Sequence, residues 1–192
     1  MKKIIIGVTI LIQAAFIVAG LLLKRHWFIP DNILIIGVAI LLYIFWDKFY
    51  LTAWHLVALN IFFIMHAFGF IDAYALTPFG IPYDKILHFS APFIFSSILM
   101  RAWTKNTHFS SIVFRGIVVV LVVLGVGAIL EIVEYGGYTF LGEGDGIFFF
   151  GVGDGGKLVN SWQDSMTDLL ADLMGGISAA LITGYYYRQK PK

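Results

Sequence analysis

Six apolar stretches, each close to the length a bilayer demands, dominate this chain. A helix needs about 20 mainly apolar residues to cross the hydrocarbon core, and its backbone must satisfy its own N–H and C=O groups there. The pattern predicts an all-α polytopic membrane protein, one bundle of six transmembrane helices. The expected helices are 4–23, 30–46, 49–70, 84–103, 112–135 and 161–187, with a Gly-rich outer loop over 136–160. Only 13% of residues are charged, about half the share of a soluble domain. The absence of cysteine excludes disulfide and thiolate chemistry, and no basic run points to nucleic acid. Met1-Lys-Lys could open a signal peptide. Ile4–Leu23 is longer than a typical h-region, however, and lacks an Ala-x-Ala site before Lys24-Arg25, so it reads as a retained first helix.

Six spans gather the N-terminus, the 47–48 turn, residues 101–115 and the C-terminus on one side. Nine of the 13 basic residues fall there, from Lys2, Lys3 and Lys48 to Arg188, Lys190 and Lys192. Lys24, Arg25, Lys85 and Lys157 fall on the other side. The positive-inside rule then places both termini in the cytoplasm. Trp27 and Trp162 mark outer helix ends, and Trp46, Trp54 and Trp103 inner ones, as aromatic belts require. The acids sort the opposite way: of 12, only Asp47 is inner. Acids contribute little to orientation, so this asymmetry predicts a polar pocket opening outward.

Three helices supply that pocket. Asp84 and His88 are spaced i, i+4, and Glu131 and Glu134 i, i+3, so each pair shares a helix face. Asp164, Asp168 and Asp172 are spaced i, i+4, i+8, along one face of the last helix. Asp84 and Asp164 also suit helix capping, and Glu134 fits the headgroup zone. His88, Glu131, Asp168 and Asp172 lie deeper, where a partner, a proton or an ion must compensate them. His66 is a further candidate at the same depth, whereas His55 and Asn60 suit hydrogen bonds between helices. Carboxylates with one imidazole match a divalent cation: magnesium, manganese, calcium or zinc. The candidate ligands are Asp84, His88, Glu131, Glu134, Asp164, Asp168 and Asp172. A cluster sharing protons without a metal is the alternative.

Gly142-Glu-Gly-Asp-Gly146 recurs as Gly151-Val-Gly-Asp-Gly155. Two imperfect copies are too few for a calcium-binding β-roll, so a lid or turn system beside the pocket is the favoured reading. Phe148-Phe-Phe150 between them suits an interface. Ala171, Gly175 and Ala179 offer a small-residue face for close helix packing.

Asp-Lys-Ile-Leu-His-Phe at 84–89, then Glu131 with Glu134, then Trp162-x-Asp164-x-x-x-Asp168 after a Gly/Asp-rich loop resembles the VanZ-like superfamily of bacterial membrane proteins. The closer similarity is to its YjdF-type branch, over about residues 80–185. Asp172 has no clear counterpart. The resemblance implies a multi-pass protein of the bacterial plasma (inner) membrane, with founding members tied to low-level glycopeptide resistance. It supplies no reaction. The residues themselves suit a metal-dependent hydrolase or transferase acting on a membrane lipid or lipid-linked substrate, with His88, Glu131 and Asp168 as catalytic groups. The absence of other outer basic residues counts against phosphate recognition. A non-catalytic envelope or antibiotic-resistance protein binding an ion or cationic ligand is the alternative, and a proton-coupled transporter the second.

Overall fold

The computed structural model describes residues 2–25, 28–106, 111–141 and 161–188. Its helices are α1 (Lys2–Leu22), α2 (Ile29–Ile44), α3 (Ala53–Ala67), α4 (Tyr83–Asn106), α5 (Ile112–Leu141) and α6 (Ser161–Arg188). Short 3-10 turns at Phe68–Ile71, Ala73–Ala75 and Pro78–Gly80 join α3 to α4. No strand occurs among the described residues.

The expected six helices are present, and among the described residues five have spanning length. α2 has 16 residues, about 24 Å at 1.5 Å per residue, against roughly 30 Å of hydrocarbon. It stops before Phe45 and Trp46 because that end is pulled into a turn. Phe45 N–H closes back on Leu41, and Tyr50 takes a left-handed φ of 49°. Lys2 holds the turn, 3.0 Å from Asp47 and 4.5 Å above the Trp46 ring. Residues 49–52 accordingly fall outside α3. Thr52 starts that helix with a capping box: its hydroxyl accepts the His55 N–H, and the His55 ring accepts the Thr52 N–H. At the other end α3 tightens into the Phe68–Ile71 turn.

α5 runs through Leu141, so 136–141 belong to a helix and not to the expected loop. Gly136 does not adopt a positive φ. A glycine costs about 1 kcal/mol relative to Ala in a helix, which is too little to end a long one.

Contacts at the helix ends define two poles. At one, Arg101 Nε donates to Tyr50 O at 2.7 Å and its Nη1 to the Tyr187 hydroxyl at 2.7 Å, near the Lys2–Asp47 pair. At the other, Arg25 pairs with Asp72 and donates to Phe70 O, and Lys85 joins Asp164. The two poles match the two sides expected from charge sorting. α4 and α6 run parallel, with their starts joined by Lys85–Asp164 and their ends by Arg101–Tyr187.

α1, α2 and α3 form one half of the bundle and α4, α5 and α6 the other, joined through α3 and α4. Ile6, Ile35, Leu42, Leu56, Leu59 and Phe63 interlock with Ile94 and Ile98 of α4 across that join. Leu11, Val113, Leu121, Ile132 and Leu181 face outward, as a lipid-facing surface requires. In the second half, the closest approach is α4 to α6. A Cβ at Gly175 would collide with the backbone carbonyl of Phe89. Of the expected small-residue face, Gly175 and Ala179 are buried and Ala171 is half-buried. Such contact lets van der Waals packing hold helices that lipid does not drive together.

This seam carries the site, so its tolerance is testable. Gly175→Ala must push a backbone aside and is expected to cost about 1–3 kcal/mol. Gly116→Ala meets only Ala180 at 3.6 Å and should leave stability unchanged or raise it slightly. Thermal unfolding in detergent micelles checks the contrast.

Candidate functional site

Asp84, Lys85 and His88 occupy the first two turns of α4, and Asp164, Asp168 and Asp172 the first half of α6. Because these helices run parallel from one pole, their polar residues meet at the same depth. Glu131 of the antiparallel α5 completes the set.

Lys85 is the centre of the outer part. Its Nζ lies 2.8 Å from Asp84 Oδ2, 2.6 Å from Asp164 Oδ1 and 2.7 Å from Asp168 Oδ1. Asp164 sits at the rim with its side chain 33% exposed, whereas Asp168 is 4% exposed. Sequence reading treated Lys85 only as a marker of membrane side. The available signal was its place in the first turn of an apolar helix, where a long stem carries an ammonium sideways to a neighbour. Removing one partner of a buried ion pair costs about 3–5 kcal/mol, so this three-way contact fixes the starts of α4 and α6 together.

His88 organises the inner part. Its Nδ1 lies 3.2 Å from Asp172 Oδ1. Its Nε2 faces Asp84 Oδ1 at 3.6 Å, Asp168 Oδ1 at 3.6 Å and Glu131 Oε1 at 3.8 Å. With Asp172 ionised, Nδ1–H donates to it and fixes the ring. Nε2 then points into a ring of three carboxylates. The ligand-capable atoms of Asp84, His88 and Asp168 all lie within 4.8 Å of one another. Glu131 Oε1 and Asp172 Oδ2 are buried without a hydrogen-bond partner. Asp172 reaches this depth because Gly127 of α5 leaves room; a Cβ there would collide with its carboxylate.

The structure therefore brings together Asp84, His88, Glu131, Asp164, Asp168 and Asp172. It separates their roles: Asp164 binds Lys85 at the rim, and Asp172 orients the imidazole from behind. Glu134 is half-buried one turn beyond Glu131, and no ion pair joins it to the cluster among the described residues. Five carboxylates against Lys85 and His88 leave an excess of negative charge. Protons or a bound cation must neutralise it at this depth.

His66 does not join. Its Nε2 lies 3.3 Å from Asp31 Oδ2 and its Nδ1 2.8 Å from the Tyr74 hydroxyl. This second polar group lies in the α1–α3 half and its adjoining turn. The expected hydrogen bonds between helices are present. Thr9 Oγ1 of α1 donates to Asn60 Oδ1 at 2.6 Å, and His55 Nε2 lies 3.4 Å from Ser97 Oγ. The Gly142–Gly146 and Gly151–Gly155 repeats and Phe148–Phe150 lie outside the described residues.

Gly127→Ala should displace Asp172 from His88, costing about 1–3 kcal/mol for a lost buried hydrogen bond to a charged group. Nothing lies near a Cβ at Gly125, so Gly125→Ala should be neutral or better. In an Asp172→Ala background Gly127→Ala should lose most of its cost, a coupling that a double-mutant cycle of unfolding free energies reads directly.

The profile of a family described as Predicted membrane protein (DUF2238) matches residues 4–190. No curated protein and no solved structure matches the chain.

Proposed function

The chain belongs to the DUF2238 family of predicted membrane proteins, and from that premise we propose an intramembrane enzyme built around a divalent-cation site. The cation is held by His88 Nε2 with Asp84, Asp168 and Glu131. The two-sided use of His88 carries this reading. Nδ1 is tied to Asp172 at 3.2 Å, while Nε2 faces three carboxylate oxygens at 3.6–3.8 Å. Metal-binding histidines commonly donate their other N–H to a carboxylate, which sets the tautomer and the ring plane. One imidazole with three carboxylates suits manganese, zinc or magnesium better than a large calcium shell.

The reaction class is hydrolysis or group transfer on a lipid or lipid-linked substrate. A cation held there would supply polarisation of a carbonyl or phosphoryl oxygen, and a flanking carboxylate would take the proton of the attacking group. Glu131 Oε1, without a hydrogen-bond partner, would hold the cation with Asp84, Asp168 and His88, leaving the second oxygen of Glu131 as the proton acceptor. Of the residues in the 84–89, 131–134 and 162–168 motifs, Asp84, Lys85, His88, Glu131, Asp164 and Asp168 gather around one centre, which supports the likeness to VanZ-like proteins of the bacterial plasma membrane. The positive-inside bias supports an outward-facing site with both termini cytoplasmic.

Lys85 favours one alternative, a non-catalytic protein that binds an ion or a cationic ligand, since an ammonium already sits among three carboxylates. Two measurements separate the readings. Purified protein is expected to carry about one equivalent of a divalent metal, lost in Glu131→Gln and Asp168→Asn variants that keep their fold. Metal-free wild-type protein that does not take up metal on titration contradicts the site. A lipid profile unchanged by deletion or overexpression, with metal present, removes the enzyme and leaves the binding protein.

A further inference from the structure

We propose that Lys85 is a built-in competitor for the cation site, so that a divalent ion enters by displacing its ammonium from Asp168. This rests on the cation reading above and adds how that site is regulated. Asp168 Oδ1 is the pivot. It lies 2.7 Å from Lys85 Nζ and 3.6 Å from His88 Nε2, so it belongs both to the lysine's contact set and to the ligand set. Asp84 is shared in the same way, with Oδ2 on Lys85 at 2.8 Å and Oδ1 facing His88 at 3.6 Å. Ammonium and metal would compete for Asp168 Oδ1 and share Asp84 through its two oxygens, at a depth where little water screens them.

The site nonetheless offers the ion something Lys85 does not use. Glu131 is 6% exposed and its Oε1 has no hydrogen-bond partner. That oxygen points to His88 Nε2 at 3.8 Å, on the far side of the imidazole's other contact with Asp172. Lys85 pairs with Asp84, Asp164 and Asp168, and no ion pair joins it to this inner oxygen among the described residues. A divalent ion matches it and takes Asp168 from the lysine. Asp164, at the rim with its side chain 33% exposed, then keeps the released ammonium. The empty state is thereby held folded by an internal cation, and affinity for the external one is reduced by the need to move it.

The test is Mn²⁺ titration of full-length protein in detergent, read by bound-metal content and by thermal unfolding. Lys85→Met removes the competitor. It should unfold at lower temperature than wild type without metal, recover with Mn²⁺, and bind Mn²⁺ at least tenfold tighter than wild type. Lys85→Arg keeps the positive charge and should bind no tighter than wild type. If Lys85→Met is too unstable without metal, purification in Mn²⁺ followed by chelation gives the same comparison from the release side. Equal or weaker Mn²⁺ binding by a folded Lys85→Met protein overturns the displacement while leaving the cation site intact. No Mn²⁺ binding by wild type, Lys85→Met or Lys85→Arg overturns both.

Discussion

The three-way contact between Lys85 and the carboxylates of Asp84, Asp164 and Asp168 is the interaction on which the second half of the bundle depends. It joins the starts of α4 and α6 at 2.6–2.8 Å, and it can do so only because the two helices are parallel and close. Closeness comes from Gly175, whose missing Cβ admits the Phe89 carbonyl. Backbone proximity and buried charge are therefore one arrangement. Lipid supplies no hydrophobic drive between helices, so packing and internal ion pairs set the geometry. A cluster of this cost has little value as a fastener alone, since well-packed apolar residues of similar volume hold as well or better. The proposed cation site gives that cost a use.

The site is graded with depth. At the rim, Asp164 and Lys85 meet water. Below them, Asp84 and Asp168 are shared between the lysine and His88. Deepest, Glu131 and Asp172 present oxygens that no hydrogen bond satisfies, with Gly127 giving Asp172 its place. His88 spans the last two layers through its two nitrogens. The sequence of partners runs from an internal cation to an unmatched oxygen, which is the order an incoming ion would meet. The α1–α3 half contributes scaffold and a separate Asp31–His66–Tyr74 contact, outside this gradient.

Much of this was legible in the residue order. Hydropathy placed six helices, and i, i+4 spacing put Asp84 with His88 on one face of α4 and Asp164, Asp168 and Asp172 on one face of α6. Depth was legible on α4 and α6, whose starts fall within a residue of expectation, but not on α5, which runs six residues past its expected end and so carries Glu131 and Glu134 further from it. Direction around the bundle was not. His66 lies near the same pole as His88, yet the neighbours of α3 turn it toward Asp31 and Tyr74. Lys85 was missed because a lysine near a helix end reads as a topology marker, and only the parallel pairing of α4 with α6 shows what its stem reaches. The start of α3 was misplaced for a local reason: His55, not Glu or Gln, completes the capping box with Thr52. Polar turn chemistry inside an aromatic run also hid the end of α2, where Lys2 ties down Trp46 and Asp47.

The central claim is that His88 Nε2 and its surrounding carboxylates form a coordination site. An anomalous-difference map from crystals grown with Mn²⁺ tests it most directly. The account predicts a single peak about 2.0–2.5 Å from His88 Nε2 and from oxygens of Asp84, Asp168 and Glu131, with Lys85 moved off Asp168. A map without a peak there, with Lys85 still seated on all three aspartates at saturating Mn²⁺, would contradict it.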